Sequence, residues 1–105
     1  MRFRRIYWVT EQVGSDGISE ITGVFTSIPD LIEVGLGALD WCDKNAEFRI
    51  VLVELDSDQP PLLTITQSSI DQIESMLLPF VTSGEISHDE VLRLGGAIRS
   101  SMNPV

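Results

Sequence analysis

The sequence predicts an α+β protein in which helices pack on one mostly antiparallel sheet of four strands. Hydrophobic residues make up 43% of the chain and charged residues 22%, which is typical of a folded domain. Segments with strand-like patterns precede each of two helical regions, so the predicted order is ββαββαα. The length of 105 residues predicts a single domain that spans residues 1–105.

A β-hairpin is predicted at the start of the chain. Residues 2–13 and 18–26 are rich in aromatic and β-branched side chains, which favour strands. Gly14-Ser15-Asp16-Gly17 separates them and has the composition of a turn. Apolar residues occur at both odd and even positions of the first strand, which indicates partial cover on both of its faces.

An amphipathic helix is predicted from Ser27 to about Asn45. Ser27 is a typical N-cap residue, Pro29 is favoured in a first turn, and Asp30 suits the positive end of the helix dipole. On a helical wheel one side is apolar and packs on the sheet.

The rest of the chain repeats the order of strands followed by helices. Residues 46–55 are apolar on both faces, which predicts a central strand, and a short strand follows at residues 62–67. A second helix begins at Ser68 or Ser69, and Pro79 is expected to end or kink it. A capping box formed by Ser87 and Glu90 predicts the start of the last helix.

The formal net charge is −9 at pH 7 and argues against nucleic-acid binding, which needs clustered cations. Between residues 11 and 92 only Lys44 and Arg49 oppose all 16 carboxylates, a net charge of −14. Arg2, Arg4 and Arg5 are expected to protect an edge strand from pairing or to form ion pairs with the acidic body.

The residue content predicts neither catalysis nor a bound cofactor. One Cys and one His exclude an internal disulfide and a classical zinc site within one chain. Nucleotide-binding and nucleophile-elbow motifs are absent. We expect a cytoplasmic location, since the sequence shows neither a signal peptide nor a stretch long enough to span a membrane.

Three carboxylates alternate at the end of the predicted central strand and are weak candidates for a metal site. Glu54, Asp56 and Asp58 would point to one side of an extended chain, and oxygen ligands suit Mg²⁺ or Ca²⁺. The segment lacks the glycine and the distal Glu of an EF-hand loop, so solvated surface acids are the simpler interpretation.

The outer stripe of the first helix is the candidate partner-binding surface. Its apolar part is Val34 and Trp41, which lie seven residues apart and off the side that faces the core. Acidic neighbours would steer a basic partner toward it. The predicted site consists of Asp30, Glu33, Val34, Gly37, Asp40 and Trp41. Alternatively, another element of the same chain covers Trp41, since large aromatic side chains are mostly buried.

These observations predict a small acidic protein-binding module that recognises a basic surface of another protein and is not an enzyme. An immunity-type inhibitor that masks the cationic active site of a nucleic-acid-cleaving toxin would fit the charge, as would an assembly subunit. Two alternatives stay open: a small ligand- or metal-binding enzyme domain that uses Glu54, Asp56 and Asp58, and a homo-oligomeric structural protein, such as a homodimer, whose edge strands pair.

Overall fold

The computed structural model describes residues 5–37, 46–55 and 60–102 and has the predicted α+β architecture. The elements are, in chain order, β1 (Ile6–Val13), β2 (Ser19–Phe25), α1 (Ile28–Asp30) continued by a π-helical turn (Leu31–Gly35), β3 (Glu47–Glu54), β4 (Leu63–Ile65), a 3₁₀ helix (Gln67–Gln72), α2 (Ile73–Thr82) and α3 (His88–Met102). The order ββαββαα is therefore confirmed.

The four strands form one antiparallel sheet with the order β2-β1-β3-β4. The prediction that residues 46–55 hold a central strand is confirmed, because β3 pairs with β1 on one side and β4 on the other. The expectation that arginines protect the first strand as a sheet edge is wrong for β1, which pairs with strands on both sides. Arg2 and Arg4 lie outside the described residues.

The predicted hairpin turn joins β1 to β2. The Gly17 N–H donates to the Gly14 carbonyl at 2.9 Å, and Gly17 has a φ of 82°, a left-handed conformation that favours glycine. The Asp16 carboxylate accepts a hydrogen bond from the Ile18 N–H at 3.0 Å. This side chain closes the turn on its own backbone, as Asp commonly does.

A β-bulge in β2 changes which residues face each side of the sheet. Thr10 pairs with Gly23 and Glu11 with Ile21, so Thr22 is one extra residue in β2. The Thr22 hydroxyl lies 2.8 Å from that of buried Thr10. Side chains alternate between the two faces along a strand, so regular pairing would place Ile21 beside Gln12, on the same face as Thr10. The extra residue instead places Ile21 beside Glu11, on the other face of the sheet.

The helices pack on one face of the sheet, which we call the helix-covered face. The even-numbered residues of β1 and β3 supply its core, including Trp8, Ile50 and Leu52. Apolar side chains from α1, the π-helical turn, the 3₁₀ helix, α2 and α3 complete the same cluster; they include Ile28, Leu31, Ile70, Ile73, Leu77, Phe80, Val91, Leu94 and Ile98.

Pro79 lies inside α2 but does not end it. The helix continues to Thr82, and Gly84, with a φ of 83°, reverses the chain after it. The predicted capping box at the start of α3 is confirmed, because the Ser87 N–H donates to the Glu90 carboxylate and the Glu90 N–H to the Ser87 hydroxyl.

No helix within the described ranges is long and apolar enough to span a membrane.

Candidate functional site

The candidate surface begins where β2 leads into the first helical segment. The Ser27 hydroxyl accepts a hydrogen bond from the Asp30 N–H at 3.3 Å, and Pro29 lies in the first turn. A regular α-helix to Asn45 was predicted, but the described part contains one α-helical turn and then a π-helical turn. The wider turn closes with the Leu36 N–H bonded to the Leu31 carbonyl, five residues earlier. Residues 38–45 lie outside the described part.

The inner side of this segment is fixed to the sheet around one aromatic ring. Ile28, Leu31 and Leu36 are buried in the core. A Cβ at Gly35 would lie 2.9 Å from the Phe25 ring, and a Cβ at Gly23 would lie 2.6 Å from the same ring. The two glycines therefore leave the space in which Phe25 packs between β2 and the π-helical turn.

The outer side of the segment has the exposure that the sequence predicted. The Val34 side chain is 62% exposed, and Asp30 and Glu33 are also exposed. A Cβ at Gly37, which is partly buried, would have no atom of the described residues within 4 Å. Within the described ranges no Lys or Arg forms an ion pair with Asp30 or Glu33.

The structure thus places four of the six predicted site residues within one short surface segment. We call this segment, formed by Asp30, Glu33, Val34 and Gly37, the acidic helical surface. Asp40 and Trp41 lie outside the described residues. The inclusion of Trp41 in this surface stays a prediction, and its burial under another element stays the alternative.

The candidate metal site is described only at Glu54. This residue ends β3, is partly buried and pairs with Ile6 across the sheet. Asp56 and Asp58 lie outside the described residues, so the three-carboxylate site stays a prediction. Within the part of the chain that the structure describes, no three metal-ligating side chains come together.

The second face of the sheet is a surface that sequence reasoning missed. Val9 of β1 pairs with Val24 of β2 and with Val51 of β3. The three side chains point to the face of the sheet opposite the helices. None of these side chains belongs to the core cluster, but only Val24 is exposed: Val9 is half-buried, and Val51, in the middle of the sheet, is buried with an exposed fraction of 7%. We call this surface the open face and define it by the apolar residues Tyr7, Val9, Ile21, Val24, Val51 and Val53.

Exposure on the open face is greatest along β2. Ile21 is 68% exposed and Val24 57%. The apolar residues at both odd and even positions were interpreted as partial cover on both faces of the first strand and as the mark of a central strand at residues 46–55. The even-numbered apolar residues of β1 and β3 form the helix-covered face, and the odd-numbered ones form the open face.

A pocket of about 470 Å³ lies at one end of the open face. It is almost entirely apolar apart from one cation, and its lining residues are Arg5, Ile6, Tyr7, Val24, Thr26 and Leu55. The Leu55 N–H donates to the Arg5 carbonyl at 2.7 Å, which extends the pairing of β1 and β3 beyond the strands and fixes this end of the pocket.

No family model, curated protein or solved structure matches the chain.

Proposed function

We propose that the chain is a non-catalytic protein-binding module that recognises a basic surface of another protein. The observation that carries this proposal is the exposure of Val34 next to Glu33 and about one helical turn after Asp30, two exposed carboxylates that have no cationic partner among the described residues. An apolar centre with a charged rim is the usual arrangement of a protein interface.

The charge of the chain supports a basic partner. The acidic body, with a net charge of −14 between residues 11 and 92, attracts a cationic protein at long range. Asp30 and Glu33 then act at short range, where exposed carboxylates favour Lys or Arg of the partner. The proposed site also includes Asp40 and Trp41, with Trp41 as the apolar anchor, because Trp is enriched among residues that dominate binding energy.

The class of partner follows from the same chemistry. A protein whose own ligand is a polyanion has a cationic surface, and an acidic module that covers this surface would inhibit it. We therefore propose an inhibitor of immunity type, or else an acidic assembly subunit, that acts in the cytoplasm.

Capture with charge-reversed variants tests this function. The immobilised chain is incubated with lysate of its native host, and captured proteins are identified by mass spectrometry. Asp30→Lys/Glu33→Lys is compared with Asp71→Lys/Asp89→Lys, which makes the same change in net charge at exposed acids of the 3₁₀ helix and α3.

We expect the wild type and the control variant to retain a basic protein that Asp30→Lys/Glu33→Lys loses. Trp41→Ala should also lose it while the melting temperature changes by only a few degrees. Equal loss in both charge variants would show that net charge alone matters, and equal retention would show that the acidic helical surface is not the site. A severely lowered melting temperature of Trp41→Ala would identify Trp41 as a core residue.

A further inference from the structure

The open face differs from the rest of the molecule in its charge. Three of the seven large hydrophobic residues that are exposed in the described part of the chain, Ile21, Val24 and Leu55, lie on it or at its rim. Among the described residues its charged side chains are Arg5, Arg49, Glu11 and Glu47, which sum to zero, whereas the whole chain has a net charge of −9. A second copy of this acidic chain is therefore repelled less by the open face than by the rest of the molecular surface.

The charges on the open face are separated to its two ends. At one end Arg5 is exposed, and no acid of the described residues forms an ion pair with it. At the other end Arg49 lies between Glu47, at 2.8 Å, and Glu11, at 3.9 Å, so this cluster has a net charge of −1. The apolar residues lie between the cation and the acidic cluster.

We infer that the open face binds the open face of a second copy of this chain, with the strands of the two sheets antiparallel. A two-fold axis that lies in the interface and crosses the strands brings Arg5 of each copy to the Glu47 end of the other. The contact is self-complementary, because each copy supplies one cationic and one acidic end. Aligned packing of two sheets about 10 Å apart buries Val24 and Ile21 of both copies.

The size of the open face predicts a weak dimer. The strands have eight, seven, eight and three residues, each residue rises about 3.4 Å and neighbouring strands lie about 4.8 Å apart, so each copy buries about 400 Å². The total of about 800 Å² is below the size of standard specific interfaces, which predicts a weak and transient dimer.

Sedimentation equilibrium of the full chain from about 1 µM to about 1 mM tests the inference. Val24→Asp is the test variant, and Leu78→Asp is its matched control, because both side chains are 57% exposed and Leu78 lies on α2, away from the open face. We expect Val24→Asp to raise the dissociation constant of the dimer by about tenfold or more, because it places a charge in the most exposed apolar part of the contact, along β2. Leu78→Asp should leave the dissociation constant unchanged.

A charge exchange tests the antiparallel arrangement. Arg5→Glu alone should weaken the dimer by about threefold or more, and Arg5→Glu/Glu47→Arg should restore it, because the pair is reversed in both copies. Circular dichroism melts verify that each variant is folded. The inference is overturned if the wild type is monomeric throughout the range, if Leu78→Asp weakens the dimer as much as Val24→Asp, or if the charge exchange restores nothing.

Discussion

Two adjacent glycines in α3 show how local surroundings decide the effect of a single methyl group. A Cβ at Gly96 would have no other atom within 4 Å, whereas a Cβ at Gly95 would lie 2.9 Å from a carboxylate oxygen of Glu74 and 3.2 Å from Arg99. The ion pair of Glu74 with Arg99 therefore rests against the α3 backbone at Gly95.

Substitution of these glycines by alanine should separate helix propensity from contact. Gly96→Ala should raise the free energy of unfolding by about 0.5–1 kcal/mol, because alanine loses less backbone freedom on folding. Gly95→Ala should raise it less, because the methyl group displaces the Glu74 carboxylate. In a Glu74→Ala background the two substitutions should change the free energy of unfolding by equal amounts, as measured by urea unfolding. A constant difference in both backgrounds would rule out the contact with Glu74 as its cause.

At the scale of elements, one ion pair joins α2 to α3. The two guanidinium nitrogens of Arg99 donate to the two Glu74 carboxylate oxygens at 2.6 and 2.7 Å. The hydrogen bonds from Arg99, together with a backbone hydrogen bond, lower the pKa of Glu74 from 4.5 to about 2, and the contact with Glu74 raises the pKa of Arg99. Both side chains are 38% exposed, so solvent screening keeps the contribution of the pair to stability small.

The lowered pKa predicts a defined pH dependence. Because Glu74 has a lower pKa in the folded state than in the unfolded state, its stabilising contribution is present above pH 4.5 and is lost as the pH falls toward 2. Glu74→Gln should therefore melt at a lower temperature than the wild type at pH 7, and the difference should shrink between pH 4.5 and pH 2. A difference independent of pH over this interval would show that charge on Glu74 does not contribute.

Element order could be predicted from the sequence because its signals are local. The two-glycine turn, the cap at Ser27 and the box of Ser87 with Glu90 each depend on a few neighbouring residues. The bulge at Thr22 could not be predicted, since it depends on pairing with Thr10 in another strand. The π-helical turn was also missed, because its apolar spacing resembles that of an α-helix.

The candidate site shows the same division between local and non-local signals. The exposure of Val34 followed from its position on the outer stripe of one helical segment. The open face required knowledge of the side on which every helix packs, which strand sequences alone do not contain. Apolar residues on both sides of β1 and β3 marked the surface but were equally consistent with a second covering layer.

For the whole molecule, the two proposed surfaces point in opposite directions. The acidic helical surface is on the outside of a segment that packs on the helix-covered face, while the open face is on the other side of the sheet. A dimer through the open faces would present two acidic helical surfaces outward. Two linked sites bind a partner that has two basic patches more tightly than one site does, provided that both patches can be reached at once.

Affinity for the captured basic protein, measured by titration calorimetry, tests the central proposal most directly. Val34→Asp/Glu33→Lys changes both the apolar centre and the acidic rim of the acidic helical surface, and Leu92→Asp/Asp89→Lys makes the same changes at exposed residues of α3. We predict that the first variant weakens binding by about tenfold or more and that the second leaves it unchanged. Equal affinities of the wild type and Val34→Asp/Glu33→Lys would contradict the proposed function.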